Sequence, residues 1–207
     1  MTAIAGRLAA VKVSGAPVAF TGEATTTLVA NTTYQITNAV KRTWDMTVAI
    51  TVKKDGVAQS AALYTLNRLT GTVTFLADIG VGHTITVDGS YLPLSLAAEA
   101  KQFSYTLSAQ LLEDNQFGDT DITRVLGPQD CAGSLSRWQG VDTYFTDALL
   151  AGNPVVIEFS SNSAVGFDRR MWALLNQDGI TAAIAGLIEE SVAFMGTPDA
   201  DGRILSR

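Results

Sequence analysis

Length, composition and charge narrow the class of this 207-residue chain. Hydrophobic residues make up 47% and charged residues 16%, which excludes a disordered chain and provides core material for one large domain or two small ones. No apolar run approaches the roughly 20 residues of a membrane span. The single cysteine, Cys131, excludes an internal disulfide. We therefore expect a globular protein that does not insert into a membrane.

Charge is distributed unevenly along the chain. Residues 1–98 contain seven Lys/Arg and five Asp/Glu, a net charge of +2, whereas residues 99–207 contain seven and fifteen, a net charge of −8. Two regions with different roles are indicated. An acidic region repels phosphate, and no basic stripe with interleaved aromatic residues is present, so the sequence argues against tight nucleic-acid binding.

The first region has the pattern of short antiparallel strands. Its segments are rich in Thr and β-branched residues, alternate with period two, and are separated by turn signals such as Asp55-Gly56. The predicted strands are Thr33–Thr37, Thr47–Lys54, Ala62–Asn67, Gly71–Leu76 and His83–Leu92. This spacing predicts a meander or sandwich.

The second region opens with a clear strand and a long loop. In "KQFSYTLSAQLL", from Lys101 to Leu112, apolar and polar residues alternate, which predicts a half-buried strand. The next predicted strand is Ala132–Gly140, so Glu113–Cys131 forms a loop of about 19 residues. Loops of that length are uncommon in compact domains unless they serve a function.

One helix and three further strands complete the prediction. The helix lies near residues 142–151, where Asp142 or Thr143 can cap its start and Gly152 can end it. The strands are Pro154–Ser160, Arg169–Gln177 and a bent strand over Ile180–Gly196.

Four carboxylates within nine residues mark the predicted loop: Glu113, Asp114, Asp119 and Asp121. Such a cluster can hold Mg²⁺ or Ca²⁺, pair for acid–base chemistry, or belong to a loop that packs on another surface. The only histidine, His83, lies 30 residues before the cluster, and no second dense acidic cluster is present to complete a metal or catalytic set. Since Phe117, Ile122 and Leu126 provide apolar contacts among the charges, we favour the packing loop and predict no metal and no cofactor.

The sequence does not favour an enzyme. His83 is the only histidine, and it lies beside a Gly-x-Gly turn, far in sequence from Cys131. The sequence contains no recognisable motif that would supply the nucleophile, the base and the orienting group of a catalytic site. We therefore expect a structural or binding protein.

An ordered series of segments carries a family resemblance. It comprises "IAGRLAAVKV", "FSYTLSAQLL", "NQFGDTD", "AGSLSRWQG", an aromatic helix, "NPVVIEF", "RRMWALLNQDGI" and "GLIEESVAFMG". In this order they resemble the major tail tube proteins of long-tailed, siphovirus-type bacteriophages. The resemblance spans most of the chain.

The resemblance implies a fold and an assembly. The fold is a mainly β, antiparallel sandwich or barrel of the phage tail tube type with one flanking α-helix. Residues 1–16 would form its opening strand, residues 17–95 an added β-hairpin-rich module, and residues 96–207 the tube domain. Subunits would close into hexameric rings that stack around a channel for genome delivery. The chain would be found in the virion tail, and in the host bacterial cytoplasm during assembly.

The resemblance also implies partners and site residues. The partners are other copies of the chain, a tape measure protein, a tail terminator and baseplate or tip proteins, while DNA passes through the channel without specific binding. An inter-ring stacking loop would use Glu113, Asp114, Phe117, Asp119, Asp121, Ile122, Arg124 and Leu126. Its carboxylates would seek basic partners such as Arg124, Arg137, Arg169 or Arg170 of neighbouring subunits. Acidic residues facing the channel would be Glu158, Glu189 and Glu190.

Two alternative functions stay open at this point. One is another ring-forming virion protein, such as a tail terminator or baseplate component. The other is a β-sandwich module that binds glycans, in which Trp44, Trp138 and Trp172 would supply stacking faces.

Overall fold

The computed structural model describes residues 9–97, 100–114, 120–138, 143–161, 166–167, 169–182 and 186–206. Over this part of the chain the protein is mainly β, with antiparallel sheets and one α-helix, as the sequence predicts. The strands are β1 (Ala10–Ser14), β2 (Val18–Val29), β3 (Thr33–Ile36), β4 (Thr51–Lys54), β5 (Val57–Ala58), β6 (Tyr64–Asn67), β7 (Thr72–Phe75), β8 (Ile85–Tyr91), β9 (Leu94–Leu96), β10 (Ala100–Glu113), β11 (Arg124–Trp138), β12 (Val155–Ser160), β13 (Arg169–Thr181), β14 (Glu189–Gly196) and β15 (Leu205–Ser206). Helix α1 spans Tyr144–Ala151. None of the described helices has the length and apolar character needed to cross a membrane.

The chain divides into two compact units. The first contains Met1–Ala97, Val155–Trp172 and Thr197–Arg207, and the second contains Ala98–Pro154 and Ala173–Gly196. Strand β13 contributes its first residues to one unit and the remainder to the other. Each unit is thus built from segments that are distant in sequence. The boundaries at residues 16 and 95 stay a prediction.

The first unit contains a seven-stranded antiparallel sheet in the order β5-β4-β8-β2-β3-β7-β6. Trp44 is fully buried in its core, together with Ile36, Val52, Val73 and Val87. The four residues in strands, Ile36, Val52, Val73 and Val87, follow from the period-two alternation, because every second side chain of a strand points to the same face, whereas Trp44 lies outside the strands. The unit also holds β12, β1 and β9, paired in that order.

The Asp55-Gly56 turn is confirmed between β4 and β5. Both residues have positive φ, 52° and 82°, and Lys54 pairs with Val57 across the turn, as a two-residue hairpin requires. The Asp55 carboxylate accepts a hydrogen bond from Thr84 N at 2.9 Å. That bond, and the contact with His83, hold the pKa of Asp55 below its ordinary value.

Two sequence interpretations of the first unit need correction. Strand β2 has no counterpart in the prediction, because Gly22, with φ 63°, interrupts its alternation where the pairing with β8 shifts between Phe20 and Glu23. The strand predicted from Thr47 begins only at Thr51. Asp45 Oδ1 accepts hydrogen bonds from both Thr47 N and Thr47 Oγ1 at 2.8 Å, so these residues form a local turn instead.

In the second unit, β10-β11-β14-β13 form an antiparallel sheet, and helix α1 packs on one of its faces. Phe145 is fully buried, with its ring centroid 4.7 Å from the Arg137 guanidinium. Thr146 Oγ1 donates a hydrogen bond of 2.6 Å to Asp178 Oδ2. Arg137 lies in β11 and Asp178 in β13, so the helix contacts strands on both sides of β14.

The predicted helix is confirmed, although its start differs from the prediction. Gly152 ends it with φ 64°, and its N–H donates to Leu149 O at 3.2 Å. Thr143 occupies the N-cap position, but its side chain accepts no capping hydrogen bond. Its hydroxyl instead donates to Asp147 Oδ2 at 2.6 Å. Asp142, the other predicted cap, lies outside the described residues.

The predicted 19-residue loop is wrong, because most of Glu113–Cys131 is strand. β10 ends at Glu113 and β11 begins at Arg124, so the connection is confined to residues 114–123. Gly127 and Pro128 lie within β11, although proline lacks an N–H and disrupts regular ladders. The hairpin accommodates them in a bulge, where the register shifts between Ala109 and Leu111.

The predicted single strand over residues 180–196 is also wrong. β13 continues to Thr181 and β14 begins at Glu189, and these two residues are paired. Gly186 and the alternation in "SVAF" favour one bent strand. The chain instead reverses between Thr181 and Glu189, so that the end of β13 pairs with the start of β14.

Candidate assembly surface

The distal part of the β10–β11 hairpin extends past its neighbours. We call residues 107–113 and 124–131 the hairpin arm. β14 pairs only with Ala132–Trp138 of β11, so within the described part of the chain Arg124–Asp130 pairs with β10 alone. The predicted half-buried strand is therefore wrong for most of β10, whose residues from Thr106 to Glu113 are exposed.

Apolar side chains cover both faces of the hairpin arm. Leu111 and Leu126 are directly opposite each other and are each 61% exposed. Leu112 and Val125 form the next pair, point to the other face, and are 44% and 49% exposed. Exposed apolar patches of this kind mark surfaces that bind another protein.

Six of the eight predicted stacking residues are described, and they lie in the hairpin arm or in the connection between β10 and β11. Glu113 pairs with Arg124 in the ladder, and its Oε1 lies 3.6 Å from Arg124 Nη2. Asp114 N donates to Thr123 O at 3.0 Å. Asp121 is exposed, as is Ile122 at 57%. Phe117 and Asp119 lie outside the described residues.

Glu158, predicted to face the channel, is buried inside the first unit. It is 3% exposed and lies in β12, all six residues of which are buried. Its carboxylate accepts hydrogen bonds from Lys12 Nζ at 2.8 Å and Arg170 Nε at 2.9 Å. Burial alone would raise the pKa of Glu158, but these two cations outweigh it and lower the pKa below the ordinary value.

The two other predicted channel residues differ from each other. Glu190 is 3% exposed and accepts a hydrogen bond from Arg137 Nε on the helix-covered face. Glu189 is half-exposed and pairs with Lys101, which lies 4.3 Å from the Trp138 ring centroid. Of the three predicted acidic residues, only Glu189 is accessible in this chain.

The face of the second unit's sheet opposite the helix is rich in hydroxyl groups. Residues with even numbers in β10 alternate away from the helix side and pair with Ser134 and Ser136 of β11. Ser104 Oγ lies 3.1 Å from Ser134 Oγ. This hydroxyl face comprises Gln102, Ser104, Thr106, Ser108, Ser134, Ser136 and Ser191. Among the described residues its carboxylates are Asp130, opposite Ser108, and Glu189.

The arm and the hydroxyl face could be found only in part from the sequence. Alternation in β10 predicts which residues share a face. The local sequence does not show that β11 is longer than its partner β14. The length of the unpaired part of β11 depends on where β14 begins and ends.

Comparisons with known proteins give little further information. No protein-family model and no curated protein matches the sequence. The chain is similar to a chain in a solved structure described as the tail of an empty GTA particle, computed with helical refinement under C6 symmetry. The TM-score is 0.45 at 11% identity, and the match covers 55% of this chain and 85% of that chain. A likeness this weak supports no conclusion about function.

Proposed function

We propose that this protein is a structural virion protein, a major tail tube subunit of a long-tailed phage that assembles into stacked hexameric rings. The observation that carries the proposal is the hairpin arm with exposed leucines on both faces. In a monomer, Leu111, Leu112 and Leu126 are exposed to water and contribute no free energy of burial. Packing them against another copy would contribute about 25 cal/mol per Å² of apolar area removed from water. The sequence resemblance supports the same assignment.

Strand β10 provides a second surface for assembly. It forms one edge of its sheet, and in the described part of the chain its ladder partner is β11. An edge strand of 14 residues promotes pairing with another chain. Repeated around a ring, pairing of this edge with a neighbouring copy would close the sheet and remove the edge.

The hydroxyl face is the surface that would line the channel. It is open on the side away from α1 and carries small polar side chains with few charges. Its described members include no Lys or Arg, and the adjacent Lys101 is already paired with Glu189. Such a surface binds phosphate weakly, so DNA would slide along it. We therefore assign the channel lining to this face, with Asp130 and Glu189 as its carboxylates, and no longer to Glu158 or Glu190.

The remaining assignments rest on the sequence resemblance. The partners would be a tape measure protein, a tail terminator and baseplate or tip proteins, and the chain would act in the virion after assembly in the host cytoplasm. Residues 17–95 would form an added module that either decorates the outside of the tube or extends the tube's own sheet. We propose no enzymatic activity and no cofactor.

The glycan-binding alternative loses its main support. Trp44 is 0% exposed and Trp172 is 1% exposed, so neither ring can stack on a sugar. Trp138 is half-buried and its ring is occupied by Lys101. A terminator or baseplate protein that forms single rings is the remaining competitor.

Negative-stain microscopy of the purified protein tests the proposal. Wild type should form tubes at high concentration. The double substitution Leu111→Ser/Leu126→Ser should prevent tube growth without lowering the unfolding temperature, because both side chains are already exposed in the monomer. Leu76→Ser, at a leucine 68% exposed in the first unit, is the matched control and should assemble normally.

Three results would count against this function. Wild type that stays monomeric at every concentration, with and without tail partners, would contradict assembly. Tubes formed equally well by the Leu111/Leu126 variant would contradict the role of the arm. Single rings that never stack would favour the terminator or baseplate alternative.

A further inference from the structure

A basic cavity lies within the first unit. Its volume is about 400 Å³, and its lining includes Lys12, Arg42, Arg170 and Glu158. Three of these are positive and one is negative, so the described lining carries a net charge of +2. That volume lies within the range of ligand-sized clefts, roughly 300–1,000 Å³.

Among the described residues, Arg42 is the cation of the lining that has no carboxylate partner. Its Nε donates to Ile36 O at 2.9 Å and its Nη2 to Thr37 O at 3.3 Å, and the described residues provide it with carbonyl oxygens only. Glu158, the one carboxylate among the described lining residues, is already shared by Lys12 and Arg170. A second carboxylate entering the cavity would therefore gain a charge-assisted contact with Arg42 that the described lining does not supply.

The guanidinium groups of Arg42 and Arg170 repel each other here. Burial lowers the pKa of Arg170, the contact with Glu158 opposes that effect, and the nearby charge of Arg42 lowers the pKa further. Like charges held in a partly buried site are most stable when an anion lies between them. The cavity is thus preorganised for an acidic group.

The cavity walls add an apolar requirement. Val40, 63% exposed, Leu94 and Phe167 line it together with Ala39. The Phe167 ring centroid lies 4.3 Å from the Arg170 guanidinium. An occupant that carries both a carboxylate and an apolar side chain matches this lining better than an inorganic anion does.

We propose that the cavity binds the acidic tip of the hairpin arm of a second copy of this chain. The tip, Glu113–Arg124, contains four carboxylates and one arginine, a net charge of −3, opposite in sign to the cavity. Asp121 and Ile122 are adjacent and exposed, and they supply the carboxylate and the apolar group that the lining requires. The proposal rests on the proposed function, since it names the surface that receives the arm.

The contact has a direction. Tip and cavity are different surfaces, so each copy can give its tip to one neighbour and receive a tip from another. Heterologous contacts of this kind propagate without limit unless a rotation closes them. They therefore produce a stack of copies rather than a closed dimer.

A charge exchange tests the contact in the assembled protein. Arg42→Glu and Asp121→Lys should each reduce tube length in micrographs severely, and the double variant Arg42→Glu/Asp121→Lys should restore it. Arg203→Glu, at an exposed arginine of the same unit outside the cavity lining, is the control and should assemble like wild type. Normal tubes from both single variants, or no recovery in the double variant, would overturn the proposal while leaving the tube function standing.

A binding measurement separates the contact from tube formation. A fluorescent peptide of residues 111–126 should bind the full-length protein, and Arg42→Glu should weaken that binding by about tenfold or more. Equal binding to both proteins, or none to either, would refute the proposal whether or not tubes form. If the peptide binds wild type in an Arg42-dependent way but wild type never forms tubes, the proposed function would be refuted and the proposed contact would stand.

Discussion

Glu158→Gln isolates the energetic role of the buried ionic contact in the first unit. The substitution preserves size and removes the charge that faces Lys12 and Arg170. The Glu158 and Arg170 side chains are only 4% and 9% exposed, so the arginine would keep its charge in a poorly solvated site. Removing one partner of a buried pair costs about 3–5 kcal/mol. Since Arg170 keeps its bond to Leu69 O, we expect the lower end of that range.

Urea unfolding followed by tryptophan fluorescence measures this loss. Trp172 is 1% exposed and packs with Leu69 and Val156 of the same unit, so its emission reports unfolding there. With a slope of about 2 kcal/mol per M, a loss of about 3 kcal/mol lowers the midpoint by about 1.5 M. This exceeds the error of such measurements.

Glu23→Gln is the matched control. Glu23 pairs with Lys41 in the same unit, but the two side chains are 17% and 29% exposed. Partly solvated pairs contribute about 0–1 kcal/mol, so this change should move the midpoint by less than about 0.5 M. Equal effects of the two substitutions would refute the assignment of Glu158 to a buried, stabilising contact.

Acid should remove the advantage of the wild type. The pKa of Glu158 is lower in the folded protein than its ordinary value of 4.5. Its contribution is therefore complete above pH 4.5 and is lost as the pH falls through the folded-state pKa. The unfolding free energies of wild type and Glu158→Gln should converge below pH 4.5, and a difference that is independent of pH would contradict the linkage.

Two further predictions concern the second unit and use thermal unfolding. Gly133→Ala should lower the free energy of unfolding by about 1–3 kcal/mol, because a Cβ there would clash with the backbone oxygen of Ser104. Gly179→Ala is the control and should lower it far less, since the nearest atom to its Cβ is 3.9 Å away. Equal losses would contradict the packing of β10 on β11. Phe145→Ala should lower the free energy of unfolding by about 3–5 kcal/mol, because the ring is fully buried under the helix. Leu150→Ala, at a leucine 80% exposed on the same helix, should leave it nearly unchanged. An unchanged stability of the Phe145 variant would show that α1 does not pack on the sheet.

The sequence predicts the parts of the fold that depend on local periodicity. Alternation identifies β7 and β8, and Gly152 and Pro154 locate the end of α1, because these signals act within a few residues. Sequence-based prediction fails where a contact with a distant part of the chain determines the local structure. Gly127 and Pro128 interrupt the pattern of a strand, yet pairing with β10 keeps Arg124–Trp138 extended.

The candidate site shows the same limit. Glu113, Asp121 and Leu126 can be selected from composition alone, because charges and apolar residues alternate there. Arg42 cannot, since its significance depends on its position beside Arg170, 128 residues further along the chain. Glu158 was misassigned because one residue of a strand cannot reveal that both of its faces are buried.

The location of the unpaired acidic charge bears on how copies would meet. Two carboxylates of the acidic region, Glu158 and Glu190, are neutralised by buried arginines, so they add nothing to the surface field. The sequence of the tip, Glu113–Arg124, has a net charge of −3. Two tips therefore repel each other, whereas a tip and the basic cavity attract. Because exposed charges are screened beyond about 10 Å at 0.1 M salt, raising the salt concentration should weaken stacking through this contact. The apolar packing of Leu111 and Leu126 should persist under the same conditions, which separates the contribution of charge from that of the leucines.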